Sequence, residues 1–176
     1  MAAHRTAHRT AHRAAAGREA AMPVEERTTP PRLPPRRIIR LAWSAHRGLY
    51  RVFGGHAGLW RPRAGRWGAL HLTTTGRRTG RRRGVIIAYL EDGPDLVALA
   101  MNGWGPGEPS WWLNLQANPD ATVHLRGGRR RVRAHAATGG ERARLWARWR
   151  EIDPHLDAFA ALRPTETAVV VLKPSP

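Results

Sequence analysis

The sequence contains no cysteine and almost no lysine. With 0 cysteines in 176 residues, disulfide bonds and a thiol nucleophile are excluded, and the redox compartment is left open. Lys173 is the single lysine, so the basic side chains are almost all arginine. Acidic residues are also few: 13 Asp and Glu against 30 Lys and Arg give a formal net charge of +17. This excess favours anionic partners such as phosphates, polyglutamate, acidic lipids or nucleic acid, although the arginine bias is equally typical of a GC-rich genome.

Several familiar functional motifs are missing as well. No apolar run reaches the ~18 residues needed to cross a bilayer, and no secretory signal follows the N-terminal arginines. The spacing of serine, histidine and aspartate leaves a Ser-His-Asp arrangement open, but there is no G-x-S-x-G nucleophile elbow. There is also no βαβ alternation, so nothing supports a Rossmann sheet. His71, His124 and His135 each stand alone on a predicted strand, without H-x-H or H-E-x-x-H spacing. We therefore expect no metal site.

The first 35 residues differ in composition from the rest of the chain. The tetrapeptide Ala-His-Arg-Thr recurs at the start of this segment, and a proline cluster ends it. Because too little apolar surface is available to pack, residues 1–35 are predicted to be disordered and dispensable. His4, His8 and His12 have a spacing that could chelate a metal on a helix, but a low-complexity tail is the favoured interpretation.

Residues 36–53 have the pattern of a basic amphipathic helix. Apolar residues recur at near 3.6-residue spacing, arginines occupy many of the other positions, and Gly54-Gly55 ends the 36–55 segment. Such a helix can pack against one end of a barrel or lie on an anionic membrane surface, and the two roles are compatible. We expect a cytoplasmic protein with peripheral contact to the inner face of the cell membrane.

Between residues 56 and 176 the pattern predicts six short strands and few helices. Strands are expected at 67–75, 83–90, 95–101, 121–125, 129–137 and 167–172, and helices at 110–117, 138–152 and from Pro154 to 162. Ser110 is expected to cap the first helix. Alternation places Arg129, Arg131 and Arg133 on one face of the fifth strand, interpreted as a solvated face. Without βαβ units, the chain is predicted to be mainly β, a small closed barrel with peripheral helices.

The segment Leu-His-Leu-Thr-Thr-Thr-Gly-Arg-Arg-Thr-Gly-Arg-Arg-Arg, at 70–83, carries the clearest chemistry. A strand runs into a turn bracketed by Gly76 and Gly80, and glycine permits the positive φ angles of a tight turn. Five arginines lie in or just after this turn: Arg77, Arg78, Arg81, Arg82 and Arg83. Turn N–H groups can form an anion nest, and guanidinium groups bind phosphate bidentately. The local chemistry allows either an oxyanion clamp or a solvated basic hairpin.

Five landmarks in one order resemble the deazaflavin (F420)-dependent nitroreductase family of actinobacteria, including its F420H2-dependent quinone reductase-like members. They are the Thr-Thr-Thr-Gly-Arg turn, the Ala-Leu-Ala-Met-Asn-Gly-Trp segment, the Ser-Trp-Trp-Leu-Asn-Leu-Gln-Ala-Asn-Pro helix, the Gly-Gly-Glu-Arg-Ala-Arg-Leu-Trp helix start and the Ala-Val-Val-Val-Leu-Lys-Pro strand. The resemblance covers residues 67–174. It implies a split β-barrel, of the FMN-binding split-barrel type, that binds reduced coenzyme F420.

The resemblance also implies which residues hold the coenzyme. The turn would hold its phosphate and acidic tail, the next strand would lie along the deazaflavin ring, and the two later segments would touch and cover the ring. The implied cofactor-binding residues are Arg77, Arg78, Thr79, Arg83, Gly84, Val85, Ile86, Ile87, Ala88, Leu99, Ala100, Met101, Asn102, Ser110, Trp111, Trp112, Leu113 and Asn114. Trp111 is the implied ring neighbour, since one of Trp111 and Trp112 is expected to face a cleft and the other the core.

One part of the family pattern is absent. The family's best-studied members carry tyrosines at positions that align with Asp153, Leu156 and Phe159, and none of these is tyrosine here. The departure concerns the acceptor pocket, the proton donor and nitro reduction, and it leaves coenzyme binding largely untouched. The resemblance implies an enzyme that transfers a hydride from reduced F420 to a quinone-like or nitro-type acceptor without a covalent nucleophile.

Two other function classes stay open on the sequence. One is a related split-barrel reductase or carrier for FMN or another flavin-like or tetrapyrrole-like ligand, whose phosphate the same turn would hold. The other is a non-enzymatic nucleic-acid binder that uses arginine and tryptophan, and it has the least support, so no nucleic-acid partner is expected. Absorbance with each cofactor distinguishes the first, and salt-sensitive binding to single-stranded DNA distinguishes the second.

Overall fold

The computed structural model describes residues 58–176. The tail predicted at 1–35 and the helix predicted at 36–53 lie outside the described residues. The strands are β1 (Gly68–Thr75), β2 (Arg82–Asp92), β3 (Asp95–Leu99), β4 (Asp120–Leu125), β5 (Gly128–Ala136) and β6 (Val169–Pro174). The α-helices are α1 (Ser110–Ala117), α2 (Gly139–Ile152) and α3 (Leu156–Ala160). A 3-10 helix, Asn102–Trp104, lies within the segment that joins β3 to α1.

The six strands close into one antiparallel barrel in the order β1-β2-β3-β6-β5-β4. The predicted mainly β barrel is therefore confirmed, and the strand bounds differ from the prediction by one or two residues at most ends. Closure depends on three pairings between strands that are distant in sequence, one of which joins β5 to β6 through Ala136↔Val170. In the other two, β1 pairs with β4 through His71↔His124, and β3 pairs with β6 through Leu99↔Val169. A closed barrel leaves no strand edge unpaired, which removes a route to edge-to-edge aggregation.

The barrel strands separate an interior apolar core from two apolar clusters on the outside, the smaller of which comprises Leu59, Ala69 and Ile86. The interior core includes Leu72, Val123 and Val170, which are all fully buried. The larger outer cluster lies where α2 and α3 cover β3 and β6. Successive residues of β6 therefore enter different cores: Val170 points into the barrel and Val171 packs beneath the helices. This two-sided burial explains why β6 is a continuous apolar run rather than an alternating one.

Helix α1 begins differently from the prediction. Ser110 is its first helical residue and is exposed, while Pro109 occupies the cap position with extended backbone and no side-chain hydrogen bond. The expected Ser110 cap is wrong. Pro109 supplies the extended entry instead, because the proline ring fixes φ, here at −64°. At the other end, Asn118 donates its N–H to the carbonyl of Asn114 at 2.8 Å.

The alternation predicted for β5 is confirmed. Arg129, Arg131 and Arg133 are exposed, whereas the alternate residues Val132 and Ala134 are buried in the barrel core and Arg130 is partly buried. Side chains on a strand alternate between its faces, so three guanidinium groups share the outer surface of the sheet.

Candidate functional site

The arginine turn between β1 and β2 is held by its own backbone. The Gly76 N–H donates to the Arg81 carbonyl at 2.8 Å, and the Gly80 N–H donates back to the Gly76 carbonyl at 2.8 Å. Gly80 has φ of +66°, a conformation that strains residues with a Cβ. A Cβ on Gly76 would sit 3.0 Å from the Arg81 carbonyl oxygen. The backbone conformation therefore favours glycine at position 80, and the close Arg81 carbonyl favours it at position 76, in agreement with the predicted turn.

The five arginines of this segment present their charge to solvent. Arg77, Arg78, Arg81, Arg82 and Arg83 are all exposed. Within residues 58–176, every ion pair involves other residues, so none of these five guanidinium groups is neutralised by a carboxylate there. Apart from Arg77 Nη1, which donates to Asn114, their guanidinium donors are available to phosphate or carboxylate oxygens.

Asn114 on α1 attaches the turn to the barrel. Its side chain is buried, and its Oδ1 accepts from the Arg77 backbone N–H at 3.2 Å and from Arg77 Nη1 at 3.4 Å. Its Nδ2 donates to Thr74 Oγ1 at 3.0 Å. The Thr74 hydroxyl in turn donates to the Arg83 carbonyl at 3.4 Å. One buried amide thus links the helix, the end of β1 and both sides of the arginine turn.

Antiparallel pairing brings the predicted binding segments to one end of the barrel. β1 and β3 run in the same direction because each pairs antiparallel with β2, so both end where the arginine turn lies. Helix α1 connects the end of β3 to the start of β4, which is antiparallel to β1 and begins at that same end. We call this the turn end. The turn 76–81, the segment 99–102 and the helix 110–114 all lie there.

The segment 99–102 passes from the sheet into an unusual backbone conformation. Ala100 donates its N–H to the Ala168 carbonyl at 2.9 Å, which continues the pairing with the chain before β6. Three consecutive residues then have positive φ: Asn102 at 48°, Gly103 at 60° and Trp104 at 59°. For the two residues with a Cβ this conformation is uncommon and costs energy. Asn102 Nδ2 donates to the carbonyls of Pro106 and Gly107, at 2.9 and 3.2 Å.

Arg163 holds the loop that follows this segment, and we call this arrangement the Arg163 clamp. Its side chain is 0% exposed. It donates five hydrogen bonds of 2.7 to 3.3 Å, to the carbonyls of Ala100, Gly105 and Gly107, to Thr167 Oγ1 and to Glu108 Oε1. A buried guanidinium with its donors satisfied in this way is a structural element that fixes the loop.

The β2 residues implied to lie along the ring point in alternating directions. Val85 and Ile87 contribute to the barrel core, while Ile86 packs outside against Leu59 and Ala69. Gly84 lies beneath His71, and a Cβ there would approach His71 Nε2 to 2.5 Å. Only part of this strand therefore presents side chains to solvent.

His71 lies on the outer face of β1. Burial lowers the pKa of His71 below its ordinary value of 6.5, and the charges of His124 and Arg129 lower it further. His71 therefore favours its neutral form near neutral pH.

Helix α1 differs from the implied arrangement in its tryptophans. Trp111 and Trp112 are both buried, at 9% and 6% exposed, and both pack in the barrel core with Leu115. The expectation that one faces a cleft is wrong. Adjacent helical residues are ~100° apart, so both rings can fall within the wide apolar face that closes the barrel. Whether Trp111 approaches the coenzyme ring stays a prediction.

An aromatic cluster lies beside the turn-end loop. Phe159, at one of the positions where tyrosine is absent, stacks on Trp104 with ring centroids 5.8 Å apart and planes at 15°. The His155 ring meets Phe159 edge-on at 6.4 Å. Leu156 is buried beneath α2, and Asp153 accepts the His155 backbone N–H at 3.0 Å. Phe159 is therefore an apolar ring, Leu156 is a core residue, and Asp153 is a carboxylate in the turn between α2 and α3. None of the three positions supplies a phenol.

A cavity of about 500 Å³ opens beside the arginine turn, and none of the predicted binding residues lines it. Its lining comprises Thr73, Thr74, Thr75, Arg82, Asp120, Ala121, Thr122, Arg131, Val132, Ser175 and Pro176.

Sequence reasoning missed three contributions to the turn end. The Thr74 hydroxyl takes part in the Asn114 network, a role that the strand pattern alone does not predict. The Thr-Thr-Thr run was a usable signal, since hydroxyls beside a glycine turn often bond to backbone. Arg82 lines the cavity beside the turn, whereas the sequence pattern predicts only that it belongs to the basic turn. Arg163 had no signal, because its burial depends on a loop more than fifty residues earlier in the chain.

Comparisons with known proteins agree with this architecture. The family model for F420H(2)-dependent quinone reductase matches residues 44–174 of this chain. Rv3178 of Mycobacterium tuberculosis (strain ATCC 25618 / H37Rv) carries the name of an F420H(2)-dependent quinone reductase. It is 32% identical to this chain over 107 residues, which are 60% of this chain and 88% of Rv3178. The F420H(2)-dependent quinone reductase Rv1261c of the same strain is 35% identical over 80 residues, and the match spans about half of its length (52%).

A solved structure agrees as well. The F420-H2 dependent reductase FDR-A aligns with a TM-score of 0.55 and 25% identity, over 60% of this chain and 93% of that one. The family match covers most of the chain, including all six strands and the arginine turn. The chain belongs to the F420H(2)-dependent quinone reductase family, and it is an oxidoreductase that depends on reduced coenzyme F420.

Proposed function

We propose that this protein binds reduced F420 at the turn end of its barrel and transfers a hydride from it to a quinone-like acceptor. The observation that carries the proposal is the arginine turn itself. It presents five exposed guanidinium groups without ion pairs among residues 58–176, and Asn114 pins it to the barrel. A solvated basic hairpin would need no such anchor.

The donor set of the turn fits the anionic part of the coenzyme. Phosphate and carboxylate oxygens accept charge-assisted hydrogen bonds best from guanidinium forks and backbone N–H groups. Arg77, Arg78 and Arg83 offer the forks, and Thr79 offers a hydroxyl near the tip of the turn. We assign these four residues to the phosphate and acidic tail. The remaining implied residues, on β2, at 99–102 and on α1, would bound the ring.

The protein contributes orientation and an anionic anchor rather than a nucleophile. When bound, a reduced deazaflavin supplies a hydride and resists one-electron exchange with oxygen. Asn114 holds the turn, and hence the arginines, in one position relative to the barrel. The Arg163 clamp fixes the loop at 102–107, so the walls of the site are set before the ligand arrives. Preorganisation of this kind reduces the entropic cost of bringing the reactants together.

The acceptor side of the site lacks a phenolic proton donor. Trp104 and Phe159 offer a stacked aromatic surface for a planar ring. A quinone that accepts a hydride becomes a hydroquinone anion, which solvent can protonate. Reduction of a nitro group gains more from a donor held against its oxygens, and Asp153, Leu156 and Phe159 provide no hydroxyl. We therefore propose that the acceptor is quinone-like and that nitro reduction is slow.

The test measures binding and turnover separately. Fluorescence titration with F420, and with FMN as the competing ligand class, reports which coenzyme binds. Steady-state oxidation of reduced F420 is then followed with menadione and with a bicyclic nitroimidazole in parallel. We expect tight F420 binding, turnover with menadione and little with the nitroimidazole. Absence of F420 binding would contradict the coenzyme assignment, and rapid nitro reduction would show that the phenols are unnecessary.

We also propose that the 36–53 segment brings the protein to an anionic membrane, near lipid-soluble quinones. Its basic amphipathic pattern supports this proposal. Among the described residues, no helix is long and apolar enough to cross a membrane. Sedimentation with vesicles of anionic and of zwitterionic lipid tests the proposal. Binding to the anionic vesicles alone is expected, and equal recovery in both supernatants would overturn it.

A further inference from the structure

The cavity beside the arginine turn is built on one row of side chains that crosses three strands. Thr73 on β1 lies directly opposite Thr122 on β4, and Thr122 lies directly opposite Arg131 on β5. Their sequence neighbours Leu72, Val123 and Val132 point into the barrel core. By alternation, the two threonines and the arginine therefore share the outer face of the sheet. Directly opposite side chains are ~5 Å apart at Cβ, which places two hydroxyls beside one guanidinium.

On β2, the next position of this row is a glycine and carries no side chain. Thr73 faces this glycine, Gly84, and Arg82 lies two residues away on the same face of β2, opposite Thr75. Arg82 and Arg131 both line the cavity of about 500 Å³. Since a water molecule has a share of about 30 Å³ in the liquid, this volume accommodates a phosphate-sized ion and several waters.

The charge balance of the cavity is positive. Among residues 58–176, Arg82 and Arg131 take part in none of the ion pairs. Asp120 is the only acidic residue in the lining, and its Oδ1 accepts from Arg133 Nη1 at 2.9 Å. Arg133 therefore neutralises the one acidic side chain, and two guanidinium groups remain beside three threonine hydroxyls and the terminal carboxyl group of Pro176. The sum of these charges is still positive.

We propose that this cavity is a second oxyanion site, which binds a phosphate or carboxylate group through Arg82, Arg131 and the hydroxyls of Thr73 and Thr122. It is distinct from the clamp formed by the arginine turn, because Arg82 and Arg83 are consecutive on a strand and point to opposite faces of it. Guanidinium forks with adjacent hydroxyls are a typical donor set for such anions. The proposal does not depend on the proposed function, since it rests on residues outside the implied coenzyme set.

The experiment uses inorganic phosphate and the full chain without coenzyme. Amide NMR signals are followed during the titration: Thr73 and Thr122 report the cavity, and Gly80 reports the arginine turn separately. Arg131→Gln removes one fork, and Thr122→Val removes one hydroxyl at nearly constant volume. Arg129→Gln is the matched control, because it removes the same charge from the same face of β5 and does not line the cavity.

We expect phosphate to shift the Thr73 and Thr122 signals saturably. Loss of a charge-assisted contact to a buried or partly buried anion weakens binding about tenfold or more, so Arg131→Gln should have an effect of that size at these signals. Thr122→Val should have a smaller effect, and Arg129→Gln less than about threefold. No shift at Thr73 and Thr122 in the natural chain, or equal losses in the two arginine variants, would overturn the proposal.

Two further titrations identify the source of the oxyanion. F420 with its acidic tail is compared with the deazaflavin riboside that lacks phosphate and tail. If only the tailed coenzyme displaces phosphate from the Thr73 and Thr122 signals, the second site receives the tail of the same coenzyme. If neither displaces it, the site takes a separate phosphate-bearing ligand, and the proposal stands in both cases.

Discussion

The same residue type serves two opposite purposes in this barrel. Arg163 is 0% exposed, and five acceptors from its own chain engage its guanidinium. Arg78, on the arginine turn, is exposed and has no carboxylate partner among residues 58–176. A guanidinium whose donors are satisfied internally stabilises the fold, whereas one whose donors face solvent can bind a ligand. Burial and partners, rather than residue type, separate the two roles.

Removal of the buried guanidinium gives the largest expected effect. Arg163→Met leaves the carbonyls of Ala100, Gly105 and Gly107 without their donor. It also leaves the Glu108 carboxylate without its ion-pair partner. We expect a loss of about 3–5 kcal/mol in the free energy of unfolding, measured by guanidinium chloride denaturation. Arg150→Met is the matched control, since Arg150 pairs with Asp157 on the surface at 2.8 Å. A loss of less than about 1 kcal/mol in Arg163→Met, comparable with that of the control, would break the comparison.

Removal of an exposed guanidinium is expected to change ligand binding strongly and stability little. Arg78→Ala should change the free energy of unfolding by no more than about 0.5 kcal/mol. It should weaken F420 binding about ten- to a hundredfold, and binding should weaken further as salt rises. Fluorescence titration measures the dissociation constant. Arg126→Ala, in the turn after β4 at the far end of the barrel, should leave it unchanged. An unaltered dissociation constant in Arg78→Ala would show that Arg78 does not contribute to F420 binding and would contradict the assignment of the turn to the binding site.

Asn114 connects structure and binding, so its loss should affect both to a smaller degree. Asn114→Ala removes the acceptor for the Arg77 N–H and the donor to Thr74, and it should cost about 1–2 kcal/mol of stability. F420 affinity should fall as well, because the turn loses its anchor. Thr74→Val separates the two effects: it removes the bond to Asn114 Nδ2 but leaves Arg77 attached. Equal loss of F420 affinity in both variants would show that the Arg77 contact is not what positions the turn.

The smallest expected effect is a dependence of stability on pH through His71. Its folded-state pKa is lowered below 6.5 by burial and by neighbouring His124 and Arg129. The unfolded chain therefore binds a proton more readily than the folded one below pH 6.5. Stability is fully present above that pH and declines as the pH falls towards the folded pKa. His71→Gln should flatten this decline between pH 8 and 5 in denaturation midpoints, and an unchanged slope would exclude His71 as its source.

Much of the fold could be predicted because its signals are local. Alternation along β5 predicts that Arg129 and Arg131 are exposed, and the pair Gly76 and Gly80 predicts the turn. A two-residue period and a glycine requirement are both visible within a few residues of sequence. The closed barrel followed from the absence of βαβ units. The apolar run of β6 was located within two residues, although its cause, burial on both faces, appears only in the structure.

The candidate site was only partly predictable because its remaining features depend on distant partners. Trp111 and Trp112 both enter the core. The width of the buried face of α1 depends on the barrel that the helix closes, and the helix sequence alone does not reveal it. The row of Thr73, Thr122 and Arg131 arises from the pairing of β1 with β4, which no local pattern reveals. The positive φ angles at 102–104 likewise depend on partners far along the chain.

The Arg163 clamp has a consequence for the order in which the protein assembles. Its acceptors on the 100–108 loop lie 55 to 63 residues earlier in the chain than the guanidinium that binds them. The barrel also cannot close until β6 has been synthesised, because β3 pairs with β6 through Leu99↔Val169. Contacts of such sequence separation form slowly because the intervening chain must first be ordered. During synthesis, a ribosome would therefore release every arginine of the turn long before the loop opposite them acquires its shape, and the turn end would be the last region to mature.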